Sequence, residues 1–268
     1  MTLSANQYIC PEGFSVETFL DTCVRLGYRS VGLTRAALAE MSVGDLTRAV
    51  RSHGLEITSL NSAGYFTWHD ADARRQQHDV NLHLLDAAVE LQAGTLCVIT
   101  GGMAEQPDIG TARALVAEGL AELDEQATAR GVRLGLEPIH PVGTPTKGVV
   151  NSIAQASRLI EPLSATGVIL DLSHSWWDPD LLGMIAVQPS PVRLVQICNV
   201  LTSEHALPRR SQSLDKGALK MPEVLSAIRA AGYAGPFEFE VFAVDHDLDD
   251  PAPLLESAMD WYRAFQQD

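Results

Sequence analysis

The segment VILDLSHSWWDPDL, residues 168–181, joins a strand-like apolar run to residues that can do chemistry. Asp171 ends the run, and His174 follows three residues later. A carboxylate binds metals or protons, and a neutral imidazole with a pKa of about 6.5 accepts a proton at neutral pH. Trp176 and Trp177 either stack on the apolar face of a sugar ring or pack the next helix onto the fold, and we expect one ring for each purpose.

Three further predicted strands also end in polar residues. They carry Glu137 and His140 in LGLEPIHP, Gln196 and Asn199 in LVQICNV, and Glu238 and Glu240 in FEFEVF. Since side chains alternate along a strand, Glu238 and Glu240 point the same way, and the deeper one is either a core polar residue or an interior hydrogen-bond partner. One strand-end carboxylate alone is commonly a helix cap or an ion-pair partner, but several on consecutive strands favour a shared site.

Carboxylates and an amide oxygen that converge from neighbouring strands predict a site for a hard divalent cation. Without a cation the carboxylates would repel one another, and at least one would take up a proton. Ligation by oxygen alone favours Mg²⁺ or Mn²⁺, whereas Zn²⁺ usually has histidine or cysteine ligands.

Strands and helices alternate along the whole chain, which predicts how these residues are brought together. The predicted strands are Leu3–Tyr8, Ser30–Thr34, Glu56–Asn61, Thr95–Thr100, Val132–Glu137, Gly167–Asp171, Arg193–Val200 and Phe237–Phe242. The predicted helices are Ser15–Leu26, Val43–Arg51, Arg74–Leu91, Thr111–Arg130, Val149–Ile160, Asp178–Ala186, Pro222–Ala231 and Pro251–Phe265. Eight such units in one domain, residues 1–268, are typical of an α/β fold of the (β/α)8 TIM barrel type, whose active site lies at the carboxyl ends of the strands. The alternative is a doubly wound sheet, but CPEG after the first strand is not a glycine-rich phosphate loop.

Composition excludes several classes of function. With 19 basic and 34 acidic residues the formal charge is 19 − 34 = −15, so we expect no nucleic-acid partner. No apolar run reaches membrane length, and MTLSANQYICPEG lacks the features of a signal peptide, which predicts a cytoplasmic protein. The 4 cysteines form no CxxC pair and are expected to be buried thiols.

Three motifs resemble those of a known family. LGLEPIHP, the D-x-x-H-x-W-W-D-P-D-L stretch and EFEVF after GYAGP resemble the sugar phosphate isomerase/epimerase family of xylose-isomerase-like TIM barrels, most densely over residues 132–242. The resemblance implies divalent-metal ligands at Glu137, Asp171, Gln196 and Glu240. Gln196 departs from the pattern because most relatives have histidine there, although an amide oxygen can also ligate. Asn199 stands where an aspartate often follows.

The resemblance also implies catalytic and substrate-binding roles. Glu137 and Glu240 are the first candidates for proton transfer, with His174 and His140 as the second. His174 matches a substrate-binding histidine of the family, and Arg210 matches a substrate-contacting arginine. Independently of the resemblance, five further residues are candidate substrate contacts: Trp176 and Trp177 at the mouth, Trp68 and His69 after strand three, and Lys147 after strand five, whose alternative is a solvated lysine.

The implied activity is an Mn²⁺- or Mg²⁺-dependent isomerase or epimerase that acts on a keto-sugar or related polyol through an enediolate. A lyase or dehydratase of the same barrel group, acting by β-elimination from a 3-keto-glycoside or a dehydroshikimate-like substrate, is an alternative. A decayed sugar-binding subunit is another. A homo-oligomer or hetero-oligomer is also compatible with the sequence. An endonuclease of this barrel group is disfavoured because it would need a basic surface and several histidine ligands.

Overall fold

Eight parallel strands close into a barrel in the computed structural model, which describes residues 2–103, 106–179, 181–183 and 192–267. The strands are β1 (Leu3–Asn6), β2 (Ser30–Thr34), β3 (Glu56–Gly64), β4 (Thr95–Ile99), β5 (Leu134–Leu136), β6 (Thr166–Asp171), β7 (Val192–Ile197), β8 (Val200–Ser203), β9 (Ala206–Arg210) and β10 (Phe237–Phe239). The barrel order is β1-β10-β7-β6-β5-β4-β3-β2, and β8 and β9 form a separate antiparallel hairpin. The predicted (β/α)8 TIM barrel is therefore confirmed.

Helices follow the strands as the sequence predicts, and two short helices, Arg35–Glu40 and Leu172–Ser175, were not predicted. Those of the described residues are α1 (Val16–Leu26), α2 (Arg35–Glu40), α3 (Val43–Ser52), α4 (Ala71–Leu91), α5 (Ile109–Arg130), α6 (Ile153–Ile160), α7 (Leu172–Ser175), α8 (Met221–Ala230) and α9 (Ala252–Phe265). Helix α1 shows how they are bounded: the Ser15 side chain accepts a hydrogen bond from the Thr18 backbone N–H, and Gly27 ends the helix at φ 90°. The predicted helix Asp178–Ala186 extends beyond the described residues.

Strands β1, β4, β5, β7 and β10 end one to three residues earlier than predicted, and the differences at β1 and β7 shape the mouth of the barrel. Strand β1 ends at Asn6, whose side chain accepts a hydrogen bond from the Tyr8 backbone N–H and starts a short 3₁₀ turn. Strand β7 ends at Ile197, and Val200 instead begins the β8–β9 hairpin. This hairpin was not predicted, because polar residues interrupt its apolar pattern.

The register of the barrel sets polar side chains of neighbouring strands side by side. Asp171 pairs with Gln196, Gln196 pairs with Glu238, and Glu238 pairs with Ser4. Aliphatic and aromatic residues fill the space between barrel and helices, so the polar set is enclosed by apolar core. Among the described residues, no helix is both long enough and apolar enough to cross a membrane.

Candidate functional site

Four of the predicted site residues form a buried ring at the carboxyl end of the barrel. Asp171 ends β6 and Gln196 lies in β7, while Glu137 and Glu240 directly follow β5 and β10. All four are buried. The backbone N–H groups of Glu137 and Glu240 donate to carbonyl groups of the neighbouring strands, at 3.1 and 3.2 Å, which fixes both residues at the barrel rim. Above them lies a cavity of about 340 Å³.

Glu238 lies one layer below this ring, and its carboxylate is a hub of hydrogen bonds. It accepts from Asn6 Nδ2 at 2.8 Å, Thr58 Oγ1 at 2.5 Å, Ser59 Oγ at 2.8 Å and Gln196 Nε2 at 3.2 Å. Glu238, which lies deeper than Glu240, is therefore an interior hydrogen-bond partner. Its role is to orient the side chains above it.

The side-chain nitrogen of Gln196 has hydrogen-bond acceptors, whereas its side-chain oxygen has no donor among the described residues. Nε2 donates to Glu240 Oε1 at 2.9 Å and to Glu238 Oε1 at 3.2 Å. If the amide were flipped, its oxygen would face the carboxylates of Glu238 and Glu240, and electrostatic repulsion disfavours that orientation. Consequently Oε1 is buried without a hydrogen-bond partner among the described residues. A buried oxygen of this kind is suited to a cation or a donor supplied by a ligand.

Arg210, the last residue of β9, reaches from the hairpin into the ring. Its Nη2 donates to Asp171 Oδ2 at 2.6 Å and to Glu240 Oε2 at 3.0 Å. The guanidinium carbon lies 4.2 Å from the centroid of the Phe242 ring, within the range of a cation–π contact. A single buried cation therefore joins two of the carboxylates.

His174 and His140 are linked through the backbone. His174 Nδ1 accepts a hydrogen bond from the His140 N–H at 3.2 Å, so in the neutral ring the proton is assigned to Nε2. Nε2 lies 3.6 Å from Glu137 Oε1 and 3.8 Å from Asp171 Oδ2. Burial lowers the pKa of His174 to about 4, more than the nearby Asp171 carboxylate raises it. His174 is therefore a neutral N–H donor directed at the ring.

The three carboxyl groups of the ring differ in the direction in which their pKa values are shifted. Burial and the neighbouring Asp171 carboxylate raise the pKa of Glu137 to about 8. Burial and the neighbouring carboxylates also hold the pKa of Glu240 well above its ordinary value, against the opposing effect of Arg210. Burial disfavours the charge of Asp171 too, but Arg210 outweighs it and lowers the pKa of that carboxyl. A further cation is therefore needed before all three carboxylates ionise together.

The donor set fits a divalent metal ion. Ligand atoms of Glu137, Asp171 and His174 lie within 4.8 Å of one another. His174 is nevertheless a poor ligand here, because its metal-directed nitrogen carries the proton while Nδ1 faces a backbone N–H. The unsatisfied Oε1 of Gln196 is the better fourth donor to accompany the three carboxylates. This set consists of oxygen atoms, which Mg²⁺ and Mn²⁺ prefer.

The other predicted substrate-binding residues lie at different distances from this ring. Lys147 lines the cavity, and its Nζ lies 5.4 Å from the Phe242 ring centroid. Trp176 stacks on His140 with ring centroids 6.1 Å apart, and Trp177 contacts the same imidazole edge-on at 5.9 Å. The two tryptophans are not among the described residues that line the cavity.

The loop after β3 is further from the ring. The Trp68 and His69 carbonyl groups each accept a hydrogen bond from Arg74 Nη1, at 2.7 and 2.8 Å. Trp68 is 45% exposed, and neither residue is among the described lining residues of the cavity. The structure thus brings the ring, Arg210, His174 and Lys147 together, and it leaves both aromatic pairs outside the cavity.

Several residues of the site were missed by the sequence analysis. Asn6 Nδ2 donates to Glu240 Oε1 at 3.2 Å as well as to Glu238, while Tyr8, Asn61 and Phe242 line the cavity. Asn6 and Asn61 lie at or near the carboxyl ends of predicted strands, so the rule applied to the later strands would have found them. Asn199, by contrast, organises the loop beneath the hairpin by donating to the Leu214 and Leu219 carbonyl groups.

Comparison with known proteins agrees with this architecture. The family described as xylose isomerase-like TIM barrel matches residues 20–265. The chain belongs to this family. Protein SMc04130 from Sinorhizobium meliloti 1021 shares 31% sequence identity, with a TM-score of 0.89 and coverage of 98% of each chain. No curated protein matches the chain significantly in sequence.

More distant solved structures share the fold. The IolI protein, solved with a zinc atom, is 17% identical over 99% of this chain and 98% of its own, with a TM-score of 0.84. The 3-keto-D-glucoside 4-epimerase YcjR from E. coli is 19% identical over 98% of this chain and 99% of its own, with a TM-score of 0.80. At these identities the likeness shows a common barrel.

Proposed function

We propose that the protein is a divalent-metal-dependent isomerase or epimerase that acts on a keto-sugar or related polyol through an enediolate. The observation that carries the proposal is the buried Oε1 of Gln196, which has no hydrogen-bond partner in the described part of the chain and lies in the same ring as Glu137, Asp171 and Glu240. The names of structural neighbours, which include 3-keto-D-glucoside, L-ribulose and D-psicose epimerases, support an enzyme of this class.

The four ring residues would hold Mg²⁺ or Mn²⁺. When bound, the ion would polarise the substrate carbonyl and stabilise the negative charge that develops when the neighbouring C–H proton leaves. Glu238 contributes indirectly, because it accepts a hydrogen bond from Gln196 Nε2 and so leaves the amide oxygen available to a cation.

Proton transfer falls to the two glutamates of the ring. Glu137 and Glu240 both line the cavity, and they enter it from β5 and β10, which are separated by β6 and β7. A substrate held between them would present its reacting carbon to a carboxylate on each side, as exchange of a proton between two faces requires. His174, a neutral donor through Nε2, would hydrogen-bond a substrate oxygen, and His140 fixes that orientation through its backbone N–H.

Two of the remaining predicted residues would bind the substrate directly, and the others would act from outside the cavity. Lys147 and Arg210 line the cavity and carry donors for hydroxyl groups. Trp176 and Trp177 would act through the His140 imidazole that they contact, and Trp68 with His69 would lie at the outer rim. The charge balance of −15 is compatible with a small sugar-like ligand and disfavours nucleic acid.

The proposal is tested by proton exchange in D₂O. Metal-free protein is supplied with Mn²⁺ or Mg²⁺ and incubated with D-psicose, D-tagatose, L-ribulose and a 3-keto-D-glucoside, and ¹H NMR follows loss of the proton next to the carbonyl. Exchange should require the metal and should fall at least about 100-fold in Glu137→Gln and Glu240→Gln. The control is Glu256→Gln on the exposed face of α9, which should retain exchange.

The products separate the candidate reactions. A new sugar indicates isomerisation or epimerisation, and an unsaturated product indicates elimination, which would make the protein a lyase. Binding of a sugar without metal uptake and without exchange would overturn the proposal in favour of a sugar-binding subunit.

A further inference from the structure

The guanidinium group of Arg210 lies at the point that a metal ion would need. Its Nη2 is 2.6 Å from Asp171 Oδ2 and 3.0 Å from Glu240 Oε2, so one N–H group bridges two of the proposed ligands. Mg²⁺ binds carboxylate oxygens at about 2.0–2.1 Å. An ion that binds these same two oxygens would replace the contacts that Nη2 now makes, so the two cations compete for the same oxygen atoms.

Arg210 is held in the ring mainly by charge. Its side chain is 6% exposed, and its Nε is buried without a hydrogen-bond partner among the described residues. The Phe242 ring supports one face of the guanidinium, 4.2 Å from its carbon. A buried donor left unpaired disfavours this position, so a stronger cation at the carboxylates would remove most of what holds Arg210 there.

Space for a second position of Arg210 lies beside the ring. Arg210 also lines an outer cavity of about 350 Å³, between the β8–β9 hairpin and the loop after β5. Leu207 of the hairpin and Lys147 of the loop after β5 both line this cavity. Because Arg210 ends the hairpin, a rotation of its side chain toward the outer cavity leaves the barrel strands in place.

We propose that Arg210 is an internal cation that occupies the metal position in the metal-free protein and moves to the outer cavity when a divalent ion binds. The inference rests on the proposed metal-dependent function. In the metal-free state Arg210 donates to both Asp171 and Glu240 and so stabilises the ring. In the metal-bound state its donors are released at the mouth, where a substrate enters. Metal uptake is thereby coupled to formation of the substrate site.

Two measurements test the inference without any use of activity. The first is calorimetric titration of metal-free protein with Mn²⁺, comparing the wild type with Arg210→Gln and with Arg210→Met, whose long side chain retains the contact with Phe242. Competition predicts at least a tenfold tighter Mn²⁺ affinity in both variants. The matched control is Arg25→Gln, which removes the same charge from an exposed position on α1 and should change the affinity by less than about twofold.

The second measurement distinguishes displacement from simple removal of a positive charge. Hydrogen–deuterium exchange by mass spectrometry is recorded over residues 200–210 of the wild type with and without Mn²⁺. We expect exchange in the hairpin to increase on metal binding, because the anchor provided by Arg210 is released, and we expect no metal-dependent change in Arg210→Gln. This readout uses the wild type and therefore does not depend on the folding of a variant.

The outcomes separate this inference from the proposed function. If the wild type binds Mn²⁺ and Arg210→Gln binds it equally or more weakly, the inference is overturned and the metal site stands. If the variants bind Mn²⁺ more tightly but hydrogen exchange in the wild-type hairpin does not change on metal binding, the proposed movement of Arg210 is also overturned. If neither protein binds Mn²⁺ or Mg²⁺, the inference and the proposed function are both overturned.

Discussion

Replacement of Glu238 by glutamine tests whether the site depends on the buried hub below it. The substitution retains the shape of the side chain but replaces an oxygen that only accepts by an NH₂ group that donates. The present partners, Asn6, Thr58, Ser59 and Gln196, all donate to this carboxylate. An amide at this position therefore sets one donor against another and weakens the remaining bonds.

The expected loss of stability follows from these four bonds. A hydrogen bond to a charged group contributes about 1.5–3 kcal/mol, and a neutral one about 0.5–1.5 kcal/mol, so each donor loses about 1 kcal/mol. Relief of the desolvation of a buried carboxylate offsets part of the sum of about 4 kcal/mol. We expect the free energy of unfolding of Glu238→Gln to fall by about 2–4 kcal/mol.

Equilibrium urea unfolding measures this change, and Glu256→Gln provides the matched control. Glu256 is exposed on α9, so its substitution should change the free energy of unfolding by less than about 0.5 kcal/mol. A loss below about 1 kcal/mol in Glu238→Gln would refute the reasoning, since the four donors would then not depend on a charged acceptor.

Two further predictions concern stability away from the site. Asp124 in α5 accepts three hydrogen bonds from the residues that lead into and begin β6. We expect Asp124→Ala to lower the free energy of unfolding in urea by about 3–5 kcal/mol. The control, Glu125→Ala on the exposed side of the same helix, should lower it by less than about 0.5 kcal/mol. A loss in Asp124→Ala no larger than in this control would contradict a stabilising effect of these three hydrogen bonds. The hydrogen bond from His53 Nδ1 to the Ala49 carbonyl, with a smaller effect of Asp21, raises the pKa of His53 above 6.5. Its stabilisation is therefore complete below about pH 6.5 and is lost as the pH rises through the folded-state pKa, so His53→Gln should lower the stability at about pH 5.5 and have little effect at about pH 9. Equal losses at both pH values would contradict this assignment.

The site and the barrel were largely predictable because both follow from local patterns. Alternation of apolar strands and amphipathic helices specifies parallel strands, and parallel strands in a closed barrel present their carboxyl ends on one face. Glu137, Asp171, Gln196 and Glu240 therefore had to meet there once the strands were identified. The strand ends were less certain, since the Asn6 side chain ended β1 before the apolar pattern did.

The sequence by itself determined that the polar residues at the strand ends meet at the mouth of the barrel, and the tertiary structure decided which other residues join them and what each one contacts there. The orientation of the Gln196 amide depends on Glu238 in another strand, and the partner of Asn6 lies 232 residues away. Arg210 reaches Asp171 and Glu240 from the β8–β9 hairpin, which the hydrophobic pattern of the sequence did not predict. Hydrogen-bond direction and charge pairing depend on contacts between segments that are remote in sequence. These segments become neighbours only when the barrel closes.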